Sequence, residues 1–560
     1  MHAEGLGQLN DVYPNKRTEG GEVSTKSLTR REFLRYAGVT SVGLAVAACA
    51  PSVAPALPTT GPATAAAAAA TAITGPKSGG VLKIGILADV ATMGDPAKMT
   101  VVSSTTQAAP AIETLFRTDK SGKPVPWLAT DAINDLANKA ITIPLRKGVK
   151  FHDGTDFNAD AVKWNLEQCM TGKTGGTENF KSIDKVDDST VRINLTQWDN
   201  TVTVNLGQII GAMISPAAYK ANGAEWAGSH PVGTGPFKFV SWEKTSKIVY
   251  EKFDGYWQKG KPYLDGIEIH VIADPVTRLI SFRKGEVDFL TFITAKDAAD
   301  LEKEGFGVNR ARAGSGALGW VHDSIKPDSP FAKLEVRQAV QHAIDVDAIA
   351  KTIFYGSAEP ANQWIYKGHW AYNSSITGYP YNPDKAKQLL AQAGFANGFN
   401  TKLAYITNNA DYAPLSTSVQ AFLKNVGIDA QLDPAPITRW SQVALSGGTW
   451  DGMWWAGISP NPDVAAALAS RYMGGGRYYS QMLVPDDYVK AIQTALAAGD
   501  FESKAKATQD AMKLMIDKYC LRTVVCCTSD MGVYDKKVHN TGWFETPVSA
   551  WWTPEDAWIG

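Results

Sequence analysis

Leu145-Arg146-Lys147-Gly148-Val149-Lys150-Phe151-His152-Asp153-Gly154-Thr155, continued by Phe157-Asn158-Ala159, is the stretch that decides the fold. A period-two run, Ile141-Thr142-Ile143-Pro144-Leu145, leads into it and predicts a half-buried strand. Asn158, standing before Ala159-Asp160-Ala161-Val162, predicts a helix N-cap, because its side-chain oxygen accepts a backbone N–H that the first turn leaves free. Gly148 and Gly154 are expected to flank the short turn between strand and helix, where glycine adopts positive φ without a Cβ clash. His152-Asp153 has the shape of a base with its orienter. Beside Gly154 in a turn, a local hydrogen bond is the simpler reading.

The same alternation of elements continues outward. Strands are expected at 81–86, 190–195, 247–250, 266–271 and 428–432, from period-two or continuous apolar runs. Helices are expected at 335–344, 347–354 and 415–425. Another starts at Asn382, with Pro383 in its first turn, and stops at Gly394. Strands and helices mix along the whole chain, so the class is α/β or α+β. The run Thr523-Val524-Val525-Cys526-Cys527 reads as a buried strand, and a disulfide from Cys520 stays open.

The 560 residues exceed one ordinary core, and two or three domains are expected. There are 55 basic and 56 acidic residues, which leaves no basic stripe for nucleic acid. With 5 Cys, 8 His and no CxxC pair, a zinc cluster is not expected, nor is any cofactor. No HExxH, phosphate loop or GxSxG elbow occurs. Gly233-Thr234-Gly235-Pro236 lacks the third glycine of a dinucleotide loop, and Pro236 removes an N–H from any anion nest. No nucleophile, base and orienter assemble from motifs, so a binding role is expected rather than catalysis.

The first 79 residues read as an address and a tether. Thr29-Arg30-Arg31-Glu32-Phe33-Leu34-Arg35 resembles a twin-arginine export signal, with Arg30 and Arg31 as its pair. The apolar stretch 36–48 is shorter than the roughly 20 residues a bilayer core needs, and suits a signal peptide. It ends Val46-Ala47-Ala48-Cys49, which resembles a lipoprotein cleavage box, so Cys49 is expected to carry lipid and start the mature chain. Residues 1–49 are therefore signal and lipobox. Residues 50–79 are an Ala/Pro/Thr tether, too poor in large apolar groups to order itself.

The opening stretch also resembles the signature of the family 5 extracellular solute-binding proteins, the peptide- and nickel-binding components of ABC importers. Three further blocks agree in order and spacing. They are His230-Pro231-Val232-Gly233-Thr234-Gly235-Pro236-Phe237 with Asp254-Gly255-Tyr256-Trp257, Arg283-Lys284-Gly285-Glu286-Val287-Asp288, and Glu335-Val336-Arg337-Gln338-Ala339-Val340 with Ala343-Ile344-Asp345. The resemblance covers 80–560. It implies a two-lobed periplasmic-binding-protein-like α/β fold with an additional small α+β domain. The first lobe would take 80–117, 222–325 and 531–560, the small domain 118–221 and the second lobe 326–530. It also implies an extracytoplasmic protein that closes on one solute and docks on the permease of an ABC importer. Asp288 and Arg337 read as framework residues.

Peptide binders of this family carry an aspartate after a Trp-x-Gly stretch, which pairs with the peptide ammonium. Here the stretch is Trp454-Trp455-Ala456-Gly457-Ile458-Ser459-Pro460-Asn461-Pro462-Asp463, and Ile458 takes that place. Two expectations follow. The solute is peptide-like and uses Asp463 or another acid, or it is an oligosaccharide for which Trp454, Trp455 and Trp440 supply stacking faces, Trp455 first among them. Trp454 and Trp455 are adjacent and should face opposite ways in a strand. Trp364 is a further pocket candidate by family position. Nickel and haem fit poorly with so few scattered His. An enzyme or a sensor using the same cleft is the remaining alternative.

Overall fold

The computed structural model describes residues 75–99, 103–311, 316–457, 463–473, 478–543, 551–552 and 554–560. The expected export signal with Arg30 and Arg31, the expected lipobox Cys49, and Ile458 lie outside them.

The chain enters its first sheet with β1 (Val81–Ile86). It then builds β2 (Ile133–Asp135), β3 (Ala140–Pro144), β4 (Phe180–Asp187) and β5 (Thr190–Leu195), with α1 (Ala159–Thr171) between β3 and β4. It returns through β6 (Phe237–Glu243), β7 (Lys247–Lys252), β8 (Gly266–Val271), β9 (Phe289–Leu290), α2 (Ala295–Lys303) and β10 (Gly307–Ala311). The next body holds β11 (Gly319–His322), α3 (Leu334–Ala343), α4 (Pro383–Gln392), β12 (Phe399–Ile406), α5 (Tyr412–Lys424), β13 (Ile428–Ala435), α6 (Ile437–Leu445) and β14 (Met453–Trp455). It closes with α7 (Val464–Tyr472), α8 (Asp486–Ala497), α9 (Phe501–Lys513) and β15 (Arg522–Val524), before β16 (Asp530–Tyr534) rejoins the first sheet.

Three sheets carry these strands. A seven-stranded sheet runs β6-β7-β8-β1-β9-β16-β10, a four-stranded one β2-β3-β5-β4, and a five-stranded one β13-β12-β14-β11-β15. In the seven-stranded sheet β1 is central and parallel to both β8 and β9. In the five-stranded sheet β12 is parallel to β13 and to β14, while β11 runs antiparallel to β14 and β15. Each sheet has its own apolar core: Leu82, Ile84 and Ile267 for the first, Ile141, Phe151 and Val191 for the second, Trp320, Leu403 and Ile428 for the third. The third core continues to Leu290 and Val533, across the passage between the two large sheets. This is a two-lobed α/β fold with a smaller domain attached. The strand β11 already pairs in the five-stranded sheet, upstream of the boundary at 325 expected from sequence. The chain crosses between Ala311 and Gly319, and crosses back between Cys527 and Asp530.

The local expectations have physical counterparts. Asn158 accepts from Ala161 N at 3.0 Å and caps α1, and Asn382 accepts from Lys385 N at 2.9 Å and caps α4. Gly148 and Gly154 have φ of 78° and 85°. The strand expected over 523–527 is broken: β15 ends at Val524, and Cys526–Cys527 instead pairs with Glu359–Pro360. Cys169, Cys520, Cys526 and Cys527 are buried free thiols, so the Cys520 disulfide left open by the sequence is not formed.

Candidate functional site

The family blocks are frame. His152 N donates to Gly233 O, and the His152 ring meets Gly235 O at 2.9 Å, so the first block docks on the second. A Cβ on Gly233 would stand 2.1 Å from Ala111 O, which explains a glycine where two backbones touch. Asp153 accepts from Thr155 N and Ser215 Oγ, a turn bond, and burial pushes His152 down to about 4. The second block gathers around Glu113, which is buried. Its carboxylate accepts from Trp127 Nε1 (2.7 Å), Tyr256 OH (2.9 Å), Trp257 Nε1 (3.1 Å) and Thr234 Oγ1 (2.8 Å). Arg117 lies 3.7 Å from Glu113 and 2.7 Å from Glu555. Burial raises the Glu113 carboxyl, and Arg117 opposes that rise. Asp288 accepts from Lys83 N and pairs with Lys537 at 2.7 Å. Arg337 donates to the carbonyls of Phe331, Ala332, Tyr519 and Cys520.

The second lobe behaves differently. The strands β12, β13 and β14 are arranged in parallel, and their carboxyl ends point to the crossover side. Loops there are where open α/β sheets take ligands, because side chains from several strands converge while the backbone beneath stays rigid. Trp455 ends β14. Its ring makes an edge contact with Trp320 of β11 at 5.3 Å and lies 4.4 Å from the ring of Tyr412 at the start of α5. Trp440 donates its Nε1 hydrogen to Trp455 O at 3.0 Å. Trp454 turns the other way, towards Trp450 at 6.3 Å. Gly457 lies against the Trp455 indole: a Cβ there would sit 2.6 Å from Cζ2 and 2.9 Å from Nε1.

The sequence-expected residues therefore occupy two settings. Trp455 and Trp364 are 0% exposed and Trp440 is 7% exposed. Trp455 Nε1 and Trp364 Nε1 are buried without a hydrogen-bond acceptor. Trp364 packs on Tyr472, ring to ring at 5.1 Å, near the Arg522 guanidinium at 5.6 Å. Arg522 in turn holds Tyr472 OH at 2.7 Å and the carbonyls of Ala317 and Ala456. Asp463 is 0% exposed, caps α7 by accepting from Ala466 N, and forms an ion pair with Lys504 of α9. Lys504 also donates to Asn200 O of the small domain at 3.0 Å. Asp463 is thus engaged by a cation of its own chain.

Two acids that the sequence reading did not single out stand on the crossover side. Asp530 opens β16, where the chain returns to the first lobe. Its side chain is exposed, yet burial pushes its carboxyl up to about 6. Among the described residues it has no hydrogen bond and no ion pair. Asp411, just before α5, is half-buried, and burial together with the Asp297 carboxylate raises it. Tyr412 joins these acids to Trp455. Burial first, then Asp530 and Asp411, push its hydroxyl up to about 12. No local pattern marks Asp530, because what sets it apart is a strand crossing between sheets.

A two-lobed α/β body whose parallel strands turn their carboxyl ends to the crossover side defines the binding-protein class. The description "Bacterial extracellular solute-binding proteins, family 5 Middle" matches residues 123–479, and the chain belongs to that family. A glutathione-binding protein GsiB of Pectobacterium atrosepticum is 37% identical over 59% of this chain. The chain spans 64% of that relative's length. The Helicobacter pylori periplasmic binding protein DppA, solved with the peptide STSA, is 25% identical, covers 86% of this chain and 98% of its own, and has a TM-score of 0.65. AgaA of A. tumefaciens R10, solved with agropinic acid, is 26% identical with a TM-score of 0.64, over 86% of this chain and 99% of its own. These relatives are binding proteins.

Proposed function

We propose that this chain is the extracytoplasmic receptor of an ABC importer. It captures a peptide-like solute by closing its lobes over the crossover crevice and delivers it to the permease. The observation that carries this reading is the buried Trp455 indole at the end of β14, on the crossover side, whose N–H has no acceptor among the described residues. A folded interior rarely leaves such donors unpaired unless something else fills them. Relatives that bind glutathione, a peptide or agropinic acid support a small amide-bearing or acid-bearing solute. Closure follows if the solute binds the shut form more tightly than the open one.

The proposed lobes meet at the two crossings, with the small domain at 118–221 riding on both. Export through Arg30 and Arg31, and a lipid on Cys49, complete the proposal and would hold the body at the outer face of the membrane. Thermal melts with peptides and with oligosaccharides test the capture, since a solute that binds only the folded form raises the melting temperature. Peptides are expected to raise it. A shift with oligosaccharides alone would turn the reading to the neutral solute, and no shift with either would end it. For the anchor, Cys49→Ala is expected to move the protein from membranes to the soluble fraction. Retention on membranes would remove the lipid from the account.

A further inference from the structure

We propose that the small domain is a latch on the lobes: it moves with the first lobe and clips onto the end of α8 in the second, so that a change in the angle between the lobes has to break this clip. The inference goes beyond solute capture. It names the contact that sets how readily the crevice opens, and it is tested without a solute.

The two joints of the small domain are built differently. Towards the first lobe the joint is a shared core. Ile210 and Met213 pack into the core of the small domain, while their neighbours Ile209, Ala212 and Ile214 pack into that of the first lobe. The Glu113 knot belongs to the same joint, since Glu113 pairs with Met213 across a short ladder. Parting those surfaces would put buried apolar groups in water, which is costly. Towards the second lobe, no buried apolar cluster among the described residues combines residues of both bodies. Hydrogen bonds make that contact instead. The helix α8 ends at Ala497, and the carbonyls of a last helical turn keep bonding capacity that the helix itself does not fill. Asn200 Nδ2 donates to Ala495 O at 2.8 Å and to Ala498 O at 3.0 Å, Trp198 Nε1 to Ala498 O at 3.1 Å, and Asn134 Nδ2 to Gly499 O at 2.9 Å. Lys504 of α9 returns a bond to Asn200 O at 3.0 Å. Asp199 shapes the turn that presents these side chains, accepting from Thr201 N at 2.9 Å and from Asn179 Nδ2 at 2.8 Å. Farther along the seam Trp370 N donates to Ser121 O at 3.0 Å, and Gly122 admits the His369 ring, since a Cβ there would stand 2.5 Å from Nε2. A cavity of about 310 Å³, whose lining includes Lys123, Asp131, Asn134 and Asp500, runs along the same seam. Water replaces such hydrogen bonds when a polar seam parts, so this joint separates at a far smaller cost than the other. The crossings at 311–319 and 527–530 join the lobes directly, and the clip is a third tie made by other segments. Rotation of one lobe about the crossings carries the small domain with the lobe whose core it shares, and the clip is the tie that parts.

The test measures the distance between two spin labels in the full chain without solute. The labels are carried on p-acetylphenylalanine at two exposed positions, Lys259 in the first lobe and Lys387 in the second. Wild-type protein is expected to show one dominant interlobe distance. The variant Asn134→Ala/Trp198→Phe/Asn200→Ala removes four hydrogen bonds of the clip. It should show a second distance, with a population on the order of 30-fold above that in the wild type. Should the triple variant fail to fold, Trp198→Phe alone keeps the ring, removes one bond and should raise that population about twofold. An unchanged distance distribution in a folded variant would overturn the latch. So would a wild type already divided evenly between two distances. Neither result touches solute capture, which the melts with peptides decide.

Discussion

Two aromatic clusters in this molecule treat their indole N–H groups in opposite ways. Around Glu113, two indole N–H groups, a phenol and a threonine hydroxyl all find one carboxylate, and Arg117 balances it. Around Trp455, the indole N–H has no acceptor among the described residues. The first cluster is closed and holds the small domain to the first lobe. The second is open on the crossover side. A buried polar group without a partner destabilises a fold, so its retention marks a place where a second molecule supplies what is missing. The surroundings of Glu113 and of Trp455 thus differ in hydrogen-bond satisfaction, where composition alone would treat them alike.

The contrast can be broken most forcefully at its closed end. Glu113→Ala removes the acceptor for four donors at once and leaves Arg117 less neutralised. The expected cost is about 5 kcal/mol in urea unfolding, with unchanged affinity in whatever fraction folds. A loss below about 1 kcal/mol would show that the knot is incidental. Lys504→Met strands Asp463 as a buried charge between α7 and α9, for an expected loss of about 3 kcal/mol. If instead this variant gained affinity for amines, Asp463 would be a ligand partner after all.

Acid should act through the frame as well. Burial pushes His322 and His369 down to about 3, so both are neutral in the folded protein at neutral pH. In the unfolded chain they titrate near about 6.5, so below that pH the unfolded state binds more protons. Stability is therefore full above about 6.5 and falls as pH drops towards the folded values, by at most about 1.4 kcal/mol per pH unit for each group. Melts between pH 7.5 and 4.5 are expected to decline steadily. A flat profile would contradict the burial of these two rings.

The smallest effect sharpens the comparison best. Trp257→Phe removes a satisfied N–H and should cost about 1 kcal/mol of stability without altering affinity. Trp455→Phe removes an unsatisfied N–H, so the melt should hold or rise while solute affinity falls on the order of tenfold. Matching losses of stability in the two variants would erase the distinction.

Much of the frame was legible in the sequence. Asn158 and Asn382 cap helices through purely local chemistry, and β1, β5 and β8 keep the bounds that their apolar patterns imply. The first two family blocks likewise bond to one another. Trp454 and Trp455 diverge as a strand requires. The site was only partly legible, because Tyr412 and Trp455 come from separate elements and their rings meet, at 4.4 Å, only in the folded lobe. Asp463 shows the same limit in reverse. Its type and position suit an ammonium partner, but Lys504, which is far along the chain on α9, occupies it.

A crystal structure of the protein with its captured solute is the most direct measurement. The account predicts an unaltered molecule at the carboxyl ends of β12, β13 and β14, with an acceptor within hydrogen-bond reach of Trp455 Nε1. A solute seated elsewhere, for instance in the cleft of about 490 Å³ lined by Glu359, Asn362, Tyr366, Lys367 and Cys527, would contradict it.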